Sequence, residues 1–426
     1  MLAVLRQRNF ALLWWGGLIS MVGDWVLMIG LPLQVYRMTG STLATGAMFM
    51  AGLLPSLLLG SVAGVFVDRW DRRRTMIIVN LLLALGLLPL LAVHSAAWLW
   101  VVYLVSFVEE SLAQFIRPAE GALLPLLVDD EHLLTANSLG SLSSNVARLS
   151  GPLLGGVLVT LLGLSGVALV DATSFLIAAA LIALIAMGSN PVGNVPSSTS
   201  AAVARIWTAV WHEWWAGLQL VRRLRVVATI FLALVITGVG EGIFSTLYAP
   251  FATRVLHGGG VLFGELNAAQ AVGGVIGSLV LGRVSPYISP VRLLGCGAVV
   301  FGLIDLMIFD YPLFFPGAVI ALVLMVAVGI PGVGALASMN TLLQTSVSDE
   351  FRGRVWGAIG TTGAAAQLVG TTLAGTLGDH VGIVPMLNVQ GGGYVVAGVL
   401  VLVLLRRYQH QHVLPVAAEN VPAAMA

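Results

Sequence analysis

The chain has 426 residues, of which 58% are hydrophobic and only 9% are charged. A soluble domain usually carries about 25% charged residues, so this chain has too little polar surface to cover a globule in water, and a soluble enzyme is excluded. Its formal net charge of +1 comes from 20 arginines against 19 acids, with no lysine.

Apolar windows of about 20 residues, the length that crosses a hydrocarbon core, recur along the whole chain. Only helices and closed barrels satisfy their backbone in lipid, and the alternating pattern of barrel strands is absent from the sequence, so helices are predicted. The twelve predicted transmembrane spans are residues 10–35, 42–67, 75–94, 98–117, 137–162, 165–187, 226–250, 262–282, 291–310, 313–336, 355–377 and 382–405.

The arginines predict the orientation of these spans. With the N-terminus inside, seventeen arginines fall on inner segments, whereas Arg37 and Arg254 fall outside and Arg148 lies within a span. Cytoplasmic loops carry the excess of basic residues, so both termini are expected in the cytoplasm of a bacterium, with the chain in its inner membrane. The single cysteine, Cys296, excludes a disulfide within one chain.

A change of composition divides the chain into two halves. The stretch GSNPVGNVPSSTS is typical of a flexible linker. The tryptophans that follow recur every three or four residues and predict an amphipathic helix on the inner membrane surface, with a solvated connector as the alternative; they are Trp207, Trp211, Trp214 and Trp215. The predicted domains are an N-terminal half, a linker, a C-terminal half and a cytoplasmic tail, at residues 1–187, 188–225, 226–405 and 406–426.

The two halves resemble each other in sequence. GDWVLMIGLPLQVYR in the first half and GEGIFSTLYAPFATR in the second align at an offset of 217 residues, where a glycine, an acid and a distal arginine coincide. ALLPLLVDDE and TLLQTSVSDE align at an offset of 219. These offsets indicate an internal duplication that gives two six-helix pseudo-repeat halves. Repeats of this kind place a binding site at their interface, near the middle of the membrane.

The inner loop between the second and third predicted spans concentrates charge. Six charged residues lie among the seven positions from Asp68 to Arg74. Gly60 and Gly64 precede them on one face of a helix, where small residues let a second helix approach closely. Positive loops orient helices in any membrane protein, so a topology anchor is one interpretation. An anchor alone needs neither Asp68 nor the glycines, which favours an additional gating contact.

Together with the twelve spans, this loop resembles the major facilitator superfamily. The loop signature of that family is G-x-x-x-D-R-x-G-R-R; Asp71 stands in place of its usual glycine, and the matching positions are Gly64, Asp68, Arg69, Arg72 and Arg73. The segments FIRPAEGALLP, ANSL, ARLSGPLLGG and DEFRGRVWG are similar to the macrolide-efflux and enterobactin-exporter branch. The resemblance covers nearly the whole chain and is silent on the cargo.

The resemblance implies a cytoplasmic gate at this loop. Asp68 is expected to accept hydrogen bonds from the N-terminus of span 11, near Val355. The loop arginines are expected to pair with inner acids such as Glu120 or Asp129. The matching place in the second half has lost the acid, so any gate there is expected to be weaker.

A cluster of small residues in span 5 points to the direction of transport. The resemblance associates the stretch GPLLGG with exporters; its small or kinking residues are Gly151, Pro152, Gly155 and Gly156. Small-residue helix packing with a proline kink is the alternative, and both interpretations can hold.

Two acids lie at matching depths of the halves, Asp24 in span 1 and Glu241 in span 7. A charge in mid-bilayer costs about 2.5–3.5 kcal/mol on insertion scales, so such residues usually mark pathways or proton relays. They are the predicted proton or cation sites, because a carboxyl group whose exposure alternates can take up and release protons. The alternative for each is a structural acid that caps a helix kink beside its neighbouring glycine.

Glu109 and Glu110 in span 4 lie at about the depth of Arg148 in span 5. Equal depth on adjacent antiparallel helices predicts an ion pair, which leaves one glutamate to titrate. Structural pairing and a part in coupling both stay open. Asp171 in span 6 and Asp305 in span 9 are secondary candidates.

No cofactor is expected. The seven histidines form no metal-ligand spacing, and the sequence has no G-x-x-x-x-G-K-[ST] loop to hold ATP. No segment is typical of nucleic-acid binding. The resemblance therefore implies a monomeric secondary transporter in the lipid bilayer that exports an amphipathic small molecule, drug-like or siderophore-like, in exchange for protons by alternating access.

Other functions of the same architecture stay open. It could import a solute, move lysophospholipid between leaflets, or act as a sensor without transport. A lipid-moving protein is expected to lack a deep polar site. A membrane-embedded enzyme would need clustered histidines, acids or cysteines near an interface, and the sequence shows none.

Overall fold

A computed structural model of the chain describes residues 2–67, 70–186, 224–285, 287–347 and 349–408. Every regular element in these ranges is helical, which confirms the predicted all-α fold, and nine helices among them are long and apolar enough to cross a membrane. The helices are α1 (Leu2–Leu5), α2 (Arg8–Thr39), α3 (Thr42–Val67), α4 (Arg72–Leu87), α5 (Leu99–Leu123), α6 (Leu133–Ala183), α7 (Arg225–Pro250), α8 (Gly260–Val284), α9 (Pro290–Asp310), α10 (Ala318–Ser346), α11 (Asp349–Val381) and α12 (Ile383–Leu404).

Helix α6 consists of two helical arms that meet at Gly163. This residue has φ 65° and ψ −164°, outside the helical region. A side chain would be strained at this φ, so glycine is the residue that breaks the helix here. The break falls between the predicted spans 137–162 and 165–187, and residues 133–162 and 164–183 are called the first and second arms below.

The described helices pack into two compact units. Unit 1 comprises Met1–Val203 and Ala252–Ala268, and unit 2 comprises Ala204–Phe251 and Ala269–Ala426. The segment Ala252–Ala268 therefore packs with unit 1, although the duplication places it in the second half of the sequence.

A contact of Arg254 helps to hold that segment on unit 1. Its Nη2 donates to the carbonyl oxygen of Gly40 at 2.6 Å, and its guanidinium lies 5.0 Å from the centre of the Tyr36 ring. Gly40 ends α2 in the left-handed conformation, so the arginine lies at the negative end of that helix dipole. Arg37, the counterpart of Arg254 in the duplication, approaches Gly259.

At the start of α4, Asp71 stands where the major facilitator loop signature has a glycine, and the structure shows what this aspartate does. Asp71 is the N-cap of α4, and its Oδ1 accepts from the backbone N–H of Arg74 at 2.7 Å. Arg73 donates from Nε to the carbonyl oxygen of Ile182 at 3.1 Å and from Nη2 to that of Ala183. These carbonyls end the second arm of α6, where a helix leaves its acceptors unsatisfied.

Replacing Asp71 by alanine tests the cap. We expect Asp71→Ala to lower the free energy of unfolding by about 1 kcal/mol, because it removes a side-chain acceptor at the first turn. The measurement is the midpoint of thermal unfolding of the purified protein in detergent. Asp71→Asn keeps the acceptor and is the control; equal losses in both variants would contradict the capping role.

Several sequence predictions fall on residues that the structure does not describe. Asp68 and Arg69 lie outside the described residues, as do the amphipathic helix with Trp207 to Trp215, most of the linker and most of the tail. The predicted gate contact of Asp68 thus stays a prediction.

Candidate functional site

Unit 1 contains a cavity of about 810 Å³, and Asp24 lies on its wall. Asp24 is close to the middle of α2, and its side chain is exposed to the cavity although the surrounding helix positions Val26 and Leu27 are buried. The wall is largely apolar and includes Trp25, Phe49 and Phe175. The cavity thus combines an amphipathic lining with one acid deep in the helix bundle.

Helix α5 adds further acids to the same wall. Glu109 and Glu110 both line the cavity. Gln114, one turn later, donates from Nε2 to Glu110 Oε1 at 2.7 Å. Because this amide already occupies one oxygen of Glu110, the two glutamates have different surroundings.

The basic residues of the cavity are Arg117 and Arg148. The predicted ion pair of Arg148 is not formed. Arg148, Glu109 and Glu110 all lie in the described part of the chain, and no ion pair joins Arg148 to either glutamate. Equal depth in the membrane does not fix which way two side chains point, so the sequence pattern could not decide this pairing.

Asp24, Glu109 and Asp171 form an acidic cluster in which each residue offers a carboxylate oxygen within 4.8 Å of those of the other two. Asp171 comes from the second arm of α6 and is 0% exposed. A side chain at Gly23 would overlap both Asp171 Oδ1 and Ser174 Oγ. Because Gly23 has no side chain, the carboxyl group of Asp171 can approach α2, the helix that carries Asp24. Acidic clusters are common in proteins that hold no ion, and we assign no metal to this one.

The small residues of GPLLGG pack the first arm of α6 against α2 and α8. A side chain at Gly155 would lie 2.9 Å from Val26 O, and one at Gly151 would overlap Trp25. Gly156 faces the backbone of Gly260 in α8, and all these residues belong to unit 1. The packing interpretation of the motif is supported, and its link to export stays a prediction.

Unit 2 contains the second predicted acid, Glu241 in α7, and a pair of buried polar residues, Asp305 and Gln390. Asp305 in α9 is 3% exposed, and its Oδ2 accepts from Gln390 Nε2 of α12 at 2.7 Å. A side chain at Gly240 would lie 3.0 Å from Gln390 Cγ, so a glycine precedes the acid and faces a buried polar residue, as in unit 1.

Sequence reasoning missed part of this arrangement. Asp171 and Asp305 were secondary candidates, and Gln390 and Arg117 were not singled out for the site. One signal was in the sequence: Gln390 follows Asp171 by 219 residues, the offset found for the duplicated ALLPLLVDDE stretch. Of the predicted gate residues that are described, Arg72 is half-buried and Arg73 binds the end of α6 within unit 1.

Comparison with known proteins places this chain in a family. A family model described as transmembrane secretion effector matches residues 1–423. The chain is 23% identical over 385 residues to macrolide efflux protein A of Streptococcus pyogenes, covering 88% of this chain and 91% of that protein. It is 27% identical over 423 residues to the enterobactin exporter EntS of Citrobacter koseri, covering 93% and 92%.

A solved structure shares the fold. The crystal structure of a bacterial homologue of the iron transporter ferroportin superimposes with a TM-score of 0.72 at 16% identity, over 94% of this chain and 98% of that chain. Identity this low shows the fold alone. The predicted major facilitator fold and efflux branch are confirmed, and the chain is a multi-pass membrane transporter rather than an enzyme. It belongs to the transmembrane secretion effector family of the major facilitator superfamily.

Proposed function

We propose that this efflux transporter is driven by protons and that Asp24 is the residue that exchanges them. The observation that carries the proposal is the position of Asp24: it lies in mid-helix, on the wall of a large cavity, beside two other carboxyl groups. Proton entry neutralises the acid and removes the cost of desolvating its charge, which favours the state in which the acid is shielded from water. Loss of the proton on the other side returns the protein to its starting state.

The cavity wall supports an amphipathic substrate. Apolar and aromatic side chains supply most of the surface, and acids outnumber bases among the titratable residues of the wall, which are Asp24, Glu109, Glu110, Arg117, Glu120 and Arg148. A site of this composition suits a neutral or cationic molecule with a large apolar face. The names of the relatives give two kinds of substrate to test first, macrolides and enterobactin.

The cavity argues against the movement of lysophospholipid. A protein that moves lysophospholipid between leaflets is expected to lack a deep polar site, whereas Asp24 lies close to the middle of α2 on the cavity wall. The deep acidic cluster of unit 1 instead fits a coupled transporter. The remaining parts of the proposal are a monomer in the bacterial inner membrane, both termini in the cytoplasm, and a cytoplasmic gate at Gly64, Asp68, Arg69, Arg72 and Arg73.

Two measurements test the function. In the first, deletion and overexpression strains are compared for susceptibility to macrolides and for secretion of enterobactin. In the second, purified protein in liposomes with an imposed pH gradient is supplied with ethidium as a fluorescent amphipathic cation, and pyranine inside the liposomes reports proton movement. We expect gradient-driven accumulation of ethidium with proton counterflow; accumulation without proton movement would contradict proton coupling.

A further inference from the structure

Asp171 is the most deeply buried member of the acidic cluster of unit 1. It is 0% exposed, and the hydroxyl of Ser174 is shared between the Asp171 carbonyl oxygen at 2.8 Å and Asp171 Oδ1 at 3.2 Å. Its Oδ2 is buried and has no hydrogen-bond partner among the described residues. Buried polar atoms in native proteins nearly always have a partner, so the state of this oxygen needs a physical explanation.

The charged groups that face Asp171 are both acids. Asp24 reaches it from α2 and Glu109 from α5. Helix α4 also packs against α6, but its charged residues are the arginines of its first turn, and Arg73 binds there to the end of the second arm. A negative charge on the buried Asp171 beside two other carboxyl groups is costly, both because the group is removed from water and because like charges repel. A proton on Asp171 removes one charge and changes Oδ2 from an acceptor without a donor into a hydroxyl donor.

The equivalent position of unit 2 already holds such a donor. Gln390 faces Gly240 as Asp171 faces Gly23, and it is 2% exposed. Its amide Nε2 donates to Asp305 at 2.7 Å. An amide cannot ionise, so unit 2 uses this position to donate to a buried carboxylate without exchanging a proton.

We propose that Asp171 is a positioning residue that keeps its proton throughout transport and donates it, as a hydrogen bond from Oδ2, to Asp24. The inference rests on the proposed function and adds to it: Asp24 exchanges the transported proton, and Asp171 stabilises the ionised form of Asp24. Asp171 is thus the counterpart of Gln390, with a carboxyl hydroxyl in place of an amide N–H.

Two substitutions separate a permanent donor from a proton carrier. Asp171→Asn keeps a donor that cannot exchange protons, so we expect ethidium accumulation within about twofold of the unsubstituted protein and the same pH of half-maximal transport. Asp171→Leu removes the donor, and Asp24 then loses stabilisation of its charged form. The pH of half-maximal transport is expected to rise by about one unit.

An infrared measurement tests the proton directly, without transport. The carbonyl stretch of a protonated carboxyl group is recorded for the purified protein at alkaline pH, where exposed carboxyl groups are ionised. We expect this band in the unsubstituted protein and in Asp24→Asn, and its loss in Asp171→Asn. Gln390→Leu is the matched control, because it deletes the equivalent donor of unit 2 and should keep the band.

The outcomes distinguish this inference from the proposed function. Loss of gradient-driven accumulation in a folded Asp171→Asn protein would overturn the inference, since Asp171 would then carry the exchanged proton. An unchanged pH profile in Asp171→Leu, or an unsubstituted protein without the infrared band, would overturn it as well. A third outcome separates the two proposals. If the protein shows no pH-driven transport but has an infrared band that Asp171→Asn removes, the proposed function is wrong, whereas the inference that Asp171 is protonated is supported.

Discussion

Asp24→Asn is expected to lower pH-gradient-driven transport by about tenfold or more while leaving the protein folded in the membrane. Asparagine has nearly the shape of aspartate but cannot bind and release a proton. The side chain lies on the wall of an open cavity, so the substitution creates no void and buries no new polar group. The measurement is accumulation of ethidium in liposomes with an imposed pH gradient.

A second readout shows whether coupling or binding has been lost. Exchange of labelled for unlabelled ethidium across liposomes without a pH gradient needs no net proton movement, so Asp24→Asn should retain it. Glu131→Gln is the control for loss of a carboxylate, because Glu131 is exposed and pairs with His132 at 3.4 Å away from the cavity. Full gradient-driven accumulation by Asp24→Asn would refute the role of Asp24.

Gly155→Leu is expected to reduce the stability of the fold by about 2–3 kcal/mol, near the upper end for overpacked sites. A side chain at this position would begin 2.9 Å from the backbone oxygen of Val26 and 3.1 Å from Ile29 Cβ. Backbone cannot yield as the end of a flexible side chain can, so α2 and the first arm of α6 must move apart. Since α2 carries Asp24, transport should fall together with stability.

The same helix offers a matched control for this substitution. Gly140 also lies in the first arm of α6, and a side chain there would meet no atom within 4 Å. Gly140→Leu should therefore leave the thermal midpoint of the detergent-solubilised protein within error of the unsubstituted value. Equal losses of stability in the two variants would contradict close packing as the cause, because leucine is a better helix former than glycine and cannot lower stability through helix propensity.

Composition and pattern alone were enough for the fold class and the main acids. The scarcity of charge required a lipid environment, and the 20-residue apolar windows required helices, because a backbone in lipid must satisfy its own hydrogen bonds. The duplication pointed to Asp24 and Glu241, and the small residues of GPLLGG pointed to close helix contact. Each of these signals is local in sequence or repeats at a fixed offset.

The partners of the acids were decided only by the tertiary structure. Depth along a helix can be counted in the sequence, but the direction of a side chain depends on how helices are rotated and where they bend. For this reason Arg148 makes no ion pair with Glu109 or Glu110, and Asp171, which was a secondary candidate, lies against Gly23 beside Asp24. The sequence by itself determined which residues are costly to bury in a membrane, and the packing of α2 against α6 determined which of them meet.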